Sequence, residues 1–368
     1  MVGKNNEEPS NKQSWALKDI GGKSLFDWLG LLSQWTIPVV LSIFAWIQAD
    51  FNGRRERAEK EAEIENQFRQ KVMSSYFTQM TDLVLKEDLL EADDDRVVIM
   101  ARTITLNTSR QVDGEQKAQL LRFLYEANLI GRCLYDQQRR CDKPILDLSG
   151  IKLESITFNP PIPLLGIDLT GASLPSASLK GMDLSKANMS RVNLSCADLT
   201  NSFLGEANLE SANLTDSKIA YANLPKAELE SALLQRANLK GAILEGAILS
   251  GADLQDANLQ TAKLQGAQLG ARFLPNGTSS ITNLEGTDLR EANLQRANLE
   301  SANLERANLA GANLTGANLT GASLKNAFYS KETIFPLGFD PAQQGMRLLN
   351  DGQASPSPQA KSQCGQQT

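Results

Sequence analysis

Apolar positions in the second half of the chain recur every five residues. Leucine occupies one position of each repeat, as at 164, 169, 174, 179 and 184, and alanine mostly lies two residues earlier. The residue between them is usually Asn or Asp, and the other two positions are polar or glycine. A period of five matches neither the 3.6 residues of a helical turn nor the 2.0 of a strand. The chain must therefore turn a corner at every repeat.

Four such repeats make a square coil of about 20 residues, with Leu and Ala pointing inward from each side. Successive coils then pair their backbones at about 4.8 Å, the spacing of neighbouring strands. The pattern predicts a mainly β fold, a quadrilateral β-helix over residues 143–334. Two irregular stretches, NPPIP at 159–163 and PNGTSSI at 275–281, predict loops that leave the tube. The loop at 275–281 is interpreted either as a tolerated insertion or as a contact site.

The apolar pattern before the repeats is different. After a polar segment at 1–27, residues 28–49 contain no charge and are long enough to cross a bilayer, although Gln34 and Pro38 weaken the segment. We therefore predict one transmembrane helix. Arg54 and Arg55 lead the basic residues that follow it, which favours a single-pass membrane protein with the repeats in the cytoplasm.

Helical patterns fill the region between this segment and the repeats. Residues 50–92 predict an amphipathic connector with apolar residues at spacing four, from Ile64 and Phe68 to Val84. The connector either packs on the next module or self-associates as a stalk. Residues 93–142 predict a helical module, with a turn at Asp113-Gly114, that caps the open first coil. Its predicted core is Val97, Ile99, Leu120, Leu121, Phe123, Leu124 and Leu129. At the other end, 335–368 predict a C-terminal cap and a disordered polar tail.

The repeat, of the form A(D/N)LXX, resembles the pentapeptide-repeat family over about half of the chain and recurs more than thirty times. This resemblance implies a right-handed quadrilateral β-helix. The order of N-terminal span, helical segment containing RFLYEANLI and repeats also resembles cyanobacterial membrane-anchored members of that family.

The amino-acid composition argues against most kinds of catalytic site. Histidine is absent, so no imidazole can act as base or metal ligand. We find no nucleotide-binding loop, nucleophile motif or metal-ligand cluster, and we predict no catalytic residue, no cofactor, no metal and no enzyme activity. The four cysteines form no CxxC pair, which predicts no disulfide framework and a reducing compartment, although Cys133 and Cys141 could pair across a tight turn. A net charge of −6 argues against nucleic-acid binding.

The outward positions supply the remaining candidates. Stacking at 20 residues predicts a vertical column of Glu245, Gln265, Glu285 and Glu305. This column is either a docking stripe for a basic partner or a solvated face. We predict a non-enzymatic, membrane-tethered scaffold or regulator that binds an unknown protein partner through its outer faces. The alternative comes from the family resemblance: some members mimic DNA and inhibit topoisomerases, but that role needs a denser negative surface.

The assignment of Leu254 to the inside of the tube and Gln255 to the outside predicts different effects for substitutions at these two neighbouring positions. Leu254→Asp places a charge in the core and is expected to lower the melting temperature strongly, since each buried leucine contributes on the order of 1.5–3 kcal/mol. Gln255→Ala, on the outside, is expected to leave it nearly unchanged. Thermal unfolding followed by circular dichroism measures both, and equal melting temperatures would refute the assignment.

Overall fold

The computed structural model describes most of the chain, with side chains from Trp46 onward. The described residues are 25–87, 89–90, 95–131, 144–158, 161–273, 277–350 and 364. The chain forms two compact units that divide between Phe68 and Arg69. Three helices precede the tube: α1 (Leu25–Lys86), α2 (Asp95–Ser109) and α3 (Gly114–Glu126). Four two-residue strands follow: β1 (Arg272–Phe273), β2 (Ser279–Ser280), β3 (Phe328–Tyr329) and β4 (Arg347–Leu348).

The segment at 28–49 is helical, but it is only the first part of α1, which runs without a break into the charged connector. Within the described part of the chain, no helix is long and apolar enough to cross a membrane. The predicted transmembrane helix and membrane anchor are therefore not supported. Ile64 and Phe68 are also exposed, so the predicted apolar stripe of the connector is not buried at this end.

The helical region of the second unit has its own core. Met73, Tyr76 and Met80 of α1 are buried. The Tyr76 hydroxyl lies 3.2 Å from Thr105 Oγ1 of α2, and its burial raises the pKa of the phenol above its ordinary value. The rings of Tyr76 and Phe77 both contact Phe123 of α3 edge to face. These contacts join the end of α1 to α2 and α3, as one of the two interpretations of the connector predicted.

The predicted core of this module is confirmed for four leucines and wrong for one residue. Leu120, Leu121, Leu124 and Leu129 are buried, and Val97 and Phe123 pack against them half-buried. Ile99 is exposed, because α2 turns that side of the helix away from the core. The turn at Asp113-Gly114 is a capping box, in which Asp113 Oδ1 accepts from Gln116 N at 3.0 Å and Gln116 Oε1 accepts from Asp113 N.

The helical module covers the first coils of the tube, which would otherwise expose unpaired backbone. The Ile130 carbonyl accepts a hydrogen bond from Asp168 N at 2.8 Å and so extends the ladder of one side. The buried Tyr125 hydroxyl donates to the Leu165 carbonyl at 3.1 Å. From α2, Arg102 donates to the carbonyls of Asp147 and Ser149 at 2.7 and 3.0 Å.

The tube itself is the quadrilateral coil that the five-residue period predicts. Parallel bridges join residues one coil apart, as in Asn193 with Asn213 and Asn213 with Leu233. The central leucines and the preceding alanines are almost completely buried along most of the tube, Leu254 and Ala252 among them, whereas Leu319 and Ala322 near its end are partly buried. The first coil is one residue longer, since Lys152 pairs with Ser173 across the NPPIP stretch. Within that stretch, residues 159–160 lie outside the described part, and the right-handed sense of the coil stays a prediction.

Two local features explain the polar positions of the repeat. The side-chain oxygen of the Asn or Asp before each leucine accepts from the backbone N–H two residues later, as in Asn258 Oδ1 with Gln260 N at 3.0 Å. This Asx turn is the physical reason for the Asn/Asp preference. The second turn residue has positive φ, which non-glycine residues such as Lys186 adopt at a cost of about 1–2 kcal/mol.

The segment after Ile334 contacts the last coil of the tube. Strand β4 pairs in parallel with β3, with Phe328 opposite Arg347 and Tyr329 opposite Leu348. The rings of Tyr329, Phe335 and Phe339 contact one another over the last coil. In the predicted tail, only Cys364 among residues 351–368 lies within the described part of the chain.

Gly114 lets α3 approach the tube closely, and its substitution tests the cap. A Cβ at this position would lie 2.4 Å from the Ser155 carbonyl oxygen. Gly114→Ala is therefore expected to destabilise the chain by about 1–3 kcal/mol, since backbone must shift to admit the methyl group.

Chemical denaturation measures this effect, and Gly53→Ala is the control. Gly53 also lies in a helix, but the nearest atom to a Cβ there is an Arg57 nitrogen at 3.8 Å. The control is expected to be neutral or stabilising. Equal stability of Gly114→Ala and the unsubstituted chain would contradict the close approach.

Candidate interaction site

The described residues offer no metal centre, because no group of three or more His, Cys, Asp or Glu among them is arranged to hold an ion. Candidate sites on this molecule therefore depend on the shape and charge of its surface. Three surface features are relevant: the predicted column of acidic residues, the hairpin made by β1 and β2, and the corner that carries a disulfide.

The predicted column does not exist as one vertical line. The backbone of Gly246 donates to Gln265 O, which stacks Glu245 and Gln265 on one corner of the tube. Glu285 and Glu305 stack on a different corner, where Gly286 N donates to Glu305 O. The docking column of four residues is therefore wrong as a geometric prediction.

The hairpin is the cause of this shift. Asp253 pairs with Asn283, thirty residues on, whereas other coils pair residues twenty apart, as Leu233 with Asp253. The ten additional residues equal half a coil. Each later repeat therefore lies on the side of the square opposite to the one expected if every coil had 20 residues. The two acidic residues after the hairpin are also engaged locally, since Arg306 donates to Glu285 and Ser323 Oγ donates to Glu305 at 2.8 Å.

The hairpin forms in the stretch that the sequence predicted to leave the tube. Arg272 pairs with Ser280 and Phe273 with Ser279 in antiparallel register. Its base is held by buried Thr282, whose Oγ1 accepts from Gly251 N at 2.9 Å and donates to Gly270 O at 2.7 Å. Residues 274–276 lie outside the described part. Gly277 has a φ of +81°, as a tight turn requires.

One arginine fastens the hairpin to the side of the tube. Arg272 donates to Glu210 Oε1 at 2.8 Å and to Ser231 Oγ at 3.0 Å, and its Nε lies 3.9 Å from Glu230 Oε1. The hydrogen bond with Glu210 raises the pKa of the Arg272 guanidinium above its ordinary value. Because Glu210 and Glu230 belong to successive coils, the hairpin lies over earlier coils of one corner. We call Arg272, Phe273 and residues 277–281, together with these two glutamates, the hairpin corner.

The hairpin corner exposes apolar side chains. Phe273 is 79% exposed and Ile281 is 50% exposed. An exposed phenylalanine ring on an anchored loop is uncommon, because removing this large apolar side chain from water is favourable. The sequence offers one signal for it: Phe273 occupies the position before the central residue, where most repeats carry Asn or Asp. The sequence prediction missed Arg272 because its partners Ser231 and Glu210 lie 41 and 62 residues earlier.

A second corner is closed by a covalent bond. Cys196, in a turn of the tube, forms a disulfide with Cys364. The prediction of no disulfide is therefore wrong for this pair. Spacing along the sequence could not reveal it, since 168 residues separate the two cysteines. Next to it, Arg236 donates to both oxygens of Asp216 at 3.0 and 2.6 Å, and this bonding raises the pKa of Arg236. Cys133 and Cys141 lie outside the described residues.

The geometry defines a class first: a solenoid whose square coils are built from five-residue sides with Leu and Ala inside. A family model described as pentapeptide repeats matches this chain in eight copies, over residues 164–191, 193–230, 232–269, 282–306 and 292–328. The chain belongs to the pentapeptide-repeat family.

Solved structures of other members are similar to it. HetL, a pentapeptide-repeat protein involved in heterocyst differentiation regulation in Nostoc sp. strain PCC 7120, is 35% identical over 49% of this chain and 88% of its own, with a TM-score of 0.23. The protein alr5209 from Nostoc PCC 7120 is 38% identical over 34% of this chain and 84% of its own, with a TM-score of 0.20. QnrB1, a plasmid-mediated fluoroquinolone resistance protein, is 15% identical over 54% of this chain and 88% of its own, with a TM-score of 0.31. A comparison with curated proteins finds no match.

Removing the arginine that fastens the hairpin tests this site. Arg272→Ala is expected to raise hydrogen exchange at Ser279 and Ser280, because the hairpin loses its bonds to Glu210 and Ser231. The loss of global stability should stay at or below about 1 kcal/mol, as for other half-exposed ion pairs. Arg296→Ala, an exposed turn arginine elsewhere on the tube, serves as the control. If both variants exchange alike at the hairpin, Arg272 does not hold it.

Proposed function

We propose that this chain is a non-enzymatic interaction protein that binds a protein partner through the hairpin corner. The observation that carries the proposal is the exposed ring of Phe273 on a hairpin whose base is fixed by Arg272 and Thr282. Aromatic residues in the centre of an interface commonly supply much of its binding energy. The strands of the hairpin are paired, so the side chains of Arg272 and Phe273 lose little conformational freedom on binding.

The chemistry of the expected partner follows from the surface. Phe273 and Ile281 need an apolar pocket, and Glu210 and Glu230 at the rim favour basic side chains around it. Arg272 neutralises part of this acidic rim, so apolar contact is expected to dominate.

The membrane tether of the sequence prediction is not needed for this function. The cytoplasmic location of the repeats stays a prediction from the basic residues after position 53. The hairpin corner replaces the docking stripe predicted at Glu245, Gln265, Glu285 and Glu305, since those four residues are divided between two corners.

The alternative, DNA mimicry toward a topoisomerase, has less support from the surface. A phosphate mimic needs rows of carboxylates that are free to face a basic partner. Several carboxylates of the tube are instead paired with arginines of the same chain: Asp216 with Arg236, Asp288 with Arg290, and Glu210 with Arg272. These pairs cancel much of the local negative field.

Affinity capture with matched aromatic substitutions tests the proposal. Full-length chain, Phe273→Ala and Tyr221→Ala are used as baits under the same conditions. Tyr221 is 57% exposed on another corner, so its loss removes a similar ring from a different surface. The partner is expected to be retained by the unsubstituted chain and by Tyr221→Ala, and to be lost by at least roughly tenfold from Phe273→Ala, with equal melting temperatures.

Equal retention by the three baits would overturn the hairpin corner as the docking site. A gyrase supercoiling assay with the full-length chain separates the alternative function. Absence of inhibition at micromolar protein excludes the topoisomerase role. If Phe273→Ala inhibits gyrase as strongly as the unsubstituted chain, topoisomerase binding replaces the proposed function.

A further inference from the structure

One flat side of the tube carries a leucine and an aspartate at outward positions of successive coils. Parallel bridges join the outward residues of this side in the order Asn213, Leu233, Asp253, Asn283 and Asn303. Leu233 is 42% exposed, at a position where most repeats carry Asn or Asp. The Asp253 carboxylate accepts from the amides of Gln235 and Asn283 at 2.6 and 2.9 Å, which fixes its position on the surface. We call this column of five residues the Leu233 side.

The opposite side of the tube carries the same series with the charge reversed. Ten residues equal half a coil, so the residue ten places after each member of the Leu233 side lies across the square from it. These residues are also joined by parallel bridges, in the order Asn223, Ile243, Lys263, Asn293 and Asn313. Ile243 is half-buried and Lys263 is exposed. We call this second column the Ile243 side.

The two sides match each other position by position. Both series consist of an amide, an aliphatic residue, a charged residue and two further amides, and both advance by one coil, about 4.8 Å, at each step. Two copies that lie side by side with parallel axes therefore bring Leu233 of one copy against Ile243 of the other. The same placement brings Asp253 against Lys263, and each asparagine against an asparagine, whose amide both donates and accepts. With antiparallel axes, Leu233 would meet an asparagine whenever Asp253 meets Lys263.

We propose that this chain associates with a second copy of itself, with the Leu233 side of one copy against the Ile243 side of the next. The occupant is a second copy because the complement of each side, in charge, apolar position and spacing, lies on the chain itself. The two sides face in opposite directions, so one copy cannot bring them together. The contact is heterologous and leaves one free side of each kind on every pair, so further copies extend a row. This inference does not depend on the hairpin corner.

The contact is small compared with that of a permanent dimer. The five residues of each side extend over four coil steps, or about 19 Å. Contacts of this size are typical of weak and transient association, so we expect a dissociation constant in the micromolar range. The aliphatic pair removes apolar surface from water, and the pair of Asp253 with Lys263 fixes which coil faces which.

Sedimentation velocity of the full-length chain over a range of micromolar concentrations tests the association. The unsubstituted chain is expected to sediment faster as its concentration rises. Asp253→Lys and Lys263→Asp each place like charges at the centre of the contact and are expected to stay monomeric under the same conditions. Lys218→Asp is the matched control, since it reverses the charge of an exposed outward residue on a third side of the tube. This control is expected to associate like the unsubstituted chain.

An equimolar mixture of Asp253→Lys and Lys263→Asp separates a specific contact from general effects of charge. Opposite charges meet at every contact between unlike copies in the mixture, whereas contacts between like copies repel. The mixture is therefore expected to associate although neither variant does so alone.

Leu233→Asn keeps the test valid if Asp253→Lys destabilises the tube. Asparagine is a common residue at this position of the repeat, so the fold is expected to be retained. The variant is expected to associate at least roughly threefold more weakly, because the aliphatic contact is lost. The proposal is overturned if the unsubstituted chain stays monomeric at all concentrations or if Lys263→Asp associates like it. Equal association of Leu233→Asn and the unsubstituted chain, or loss of association in Lys218→Asp, would overturn it as well.

Discussion

The structure depends on one constraint: each five-residue side must bury a leucine and an alanine while its backbone pairs with the coils on either side. The leucine fills the centre of the square and the alanine fits the narrower space beside it. Backbone groups such as Leu194 N and Asn213 O satisfy each other between coils. Because no coil can meet both requirements alone, stability is shared along the stack.

At the two ends of the tube this constraint is not met by the repeats alone, because each terminal coil lacks one neighbour. At the first coil, Ile130, Tyr125 and Arg102 satisfy carbonyl and amide groups that have no preceding coil. At the last coil, β4 takes the place of a further side, and three aromatic rings cover the apolar interior. The two caps use different elements, but both replace the missing neighbour by hydrogen bonds and apolar contact.

The same constraint explains where function can be added. Outward positions are free of the packing requirement, so the hairpin is accommodated there without disturbing the core. The hairpin inserts ten residues and the coil resumes in phase with its five-residue sides, although rotated by half a coil. Arg272 and the Cys196–Cys364 bond then attach distant segments to the sides of the tube.

The sequence by itself determined the tube, because the five-residue period is local and the apolar positions of each repeat identify the residues that point inward. It also predicted the helical region that contains α2 and α3. Only the tertiary structure decided the surface. Glu245 and Glu285 occupy different corners because the hairpin rotates the later coils, an effect that no local pattern encodes. Phe273 and Cys196 likewise acquire their surroundings from Arg272 and Cys364, whose contacts span 62 and 168 residues of sequence. Interactions at such separations depend on the stacking of coils, and a pattern read along the chain does not contain them.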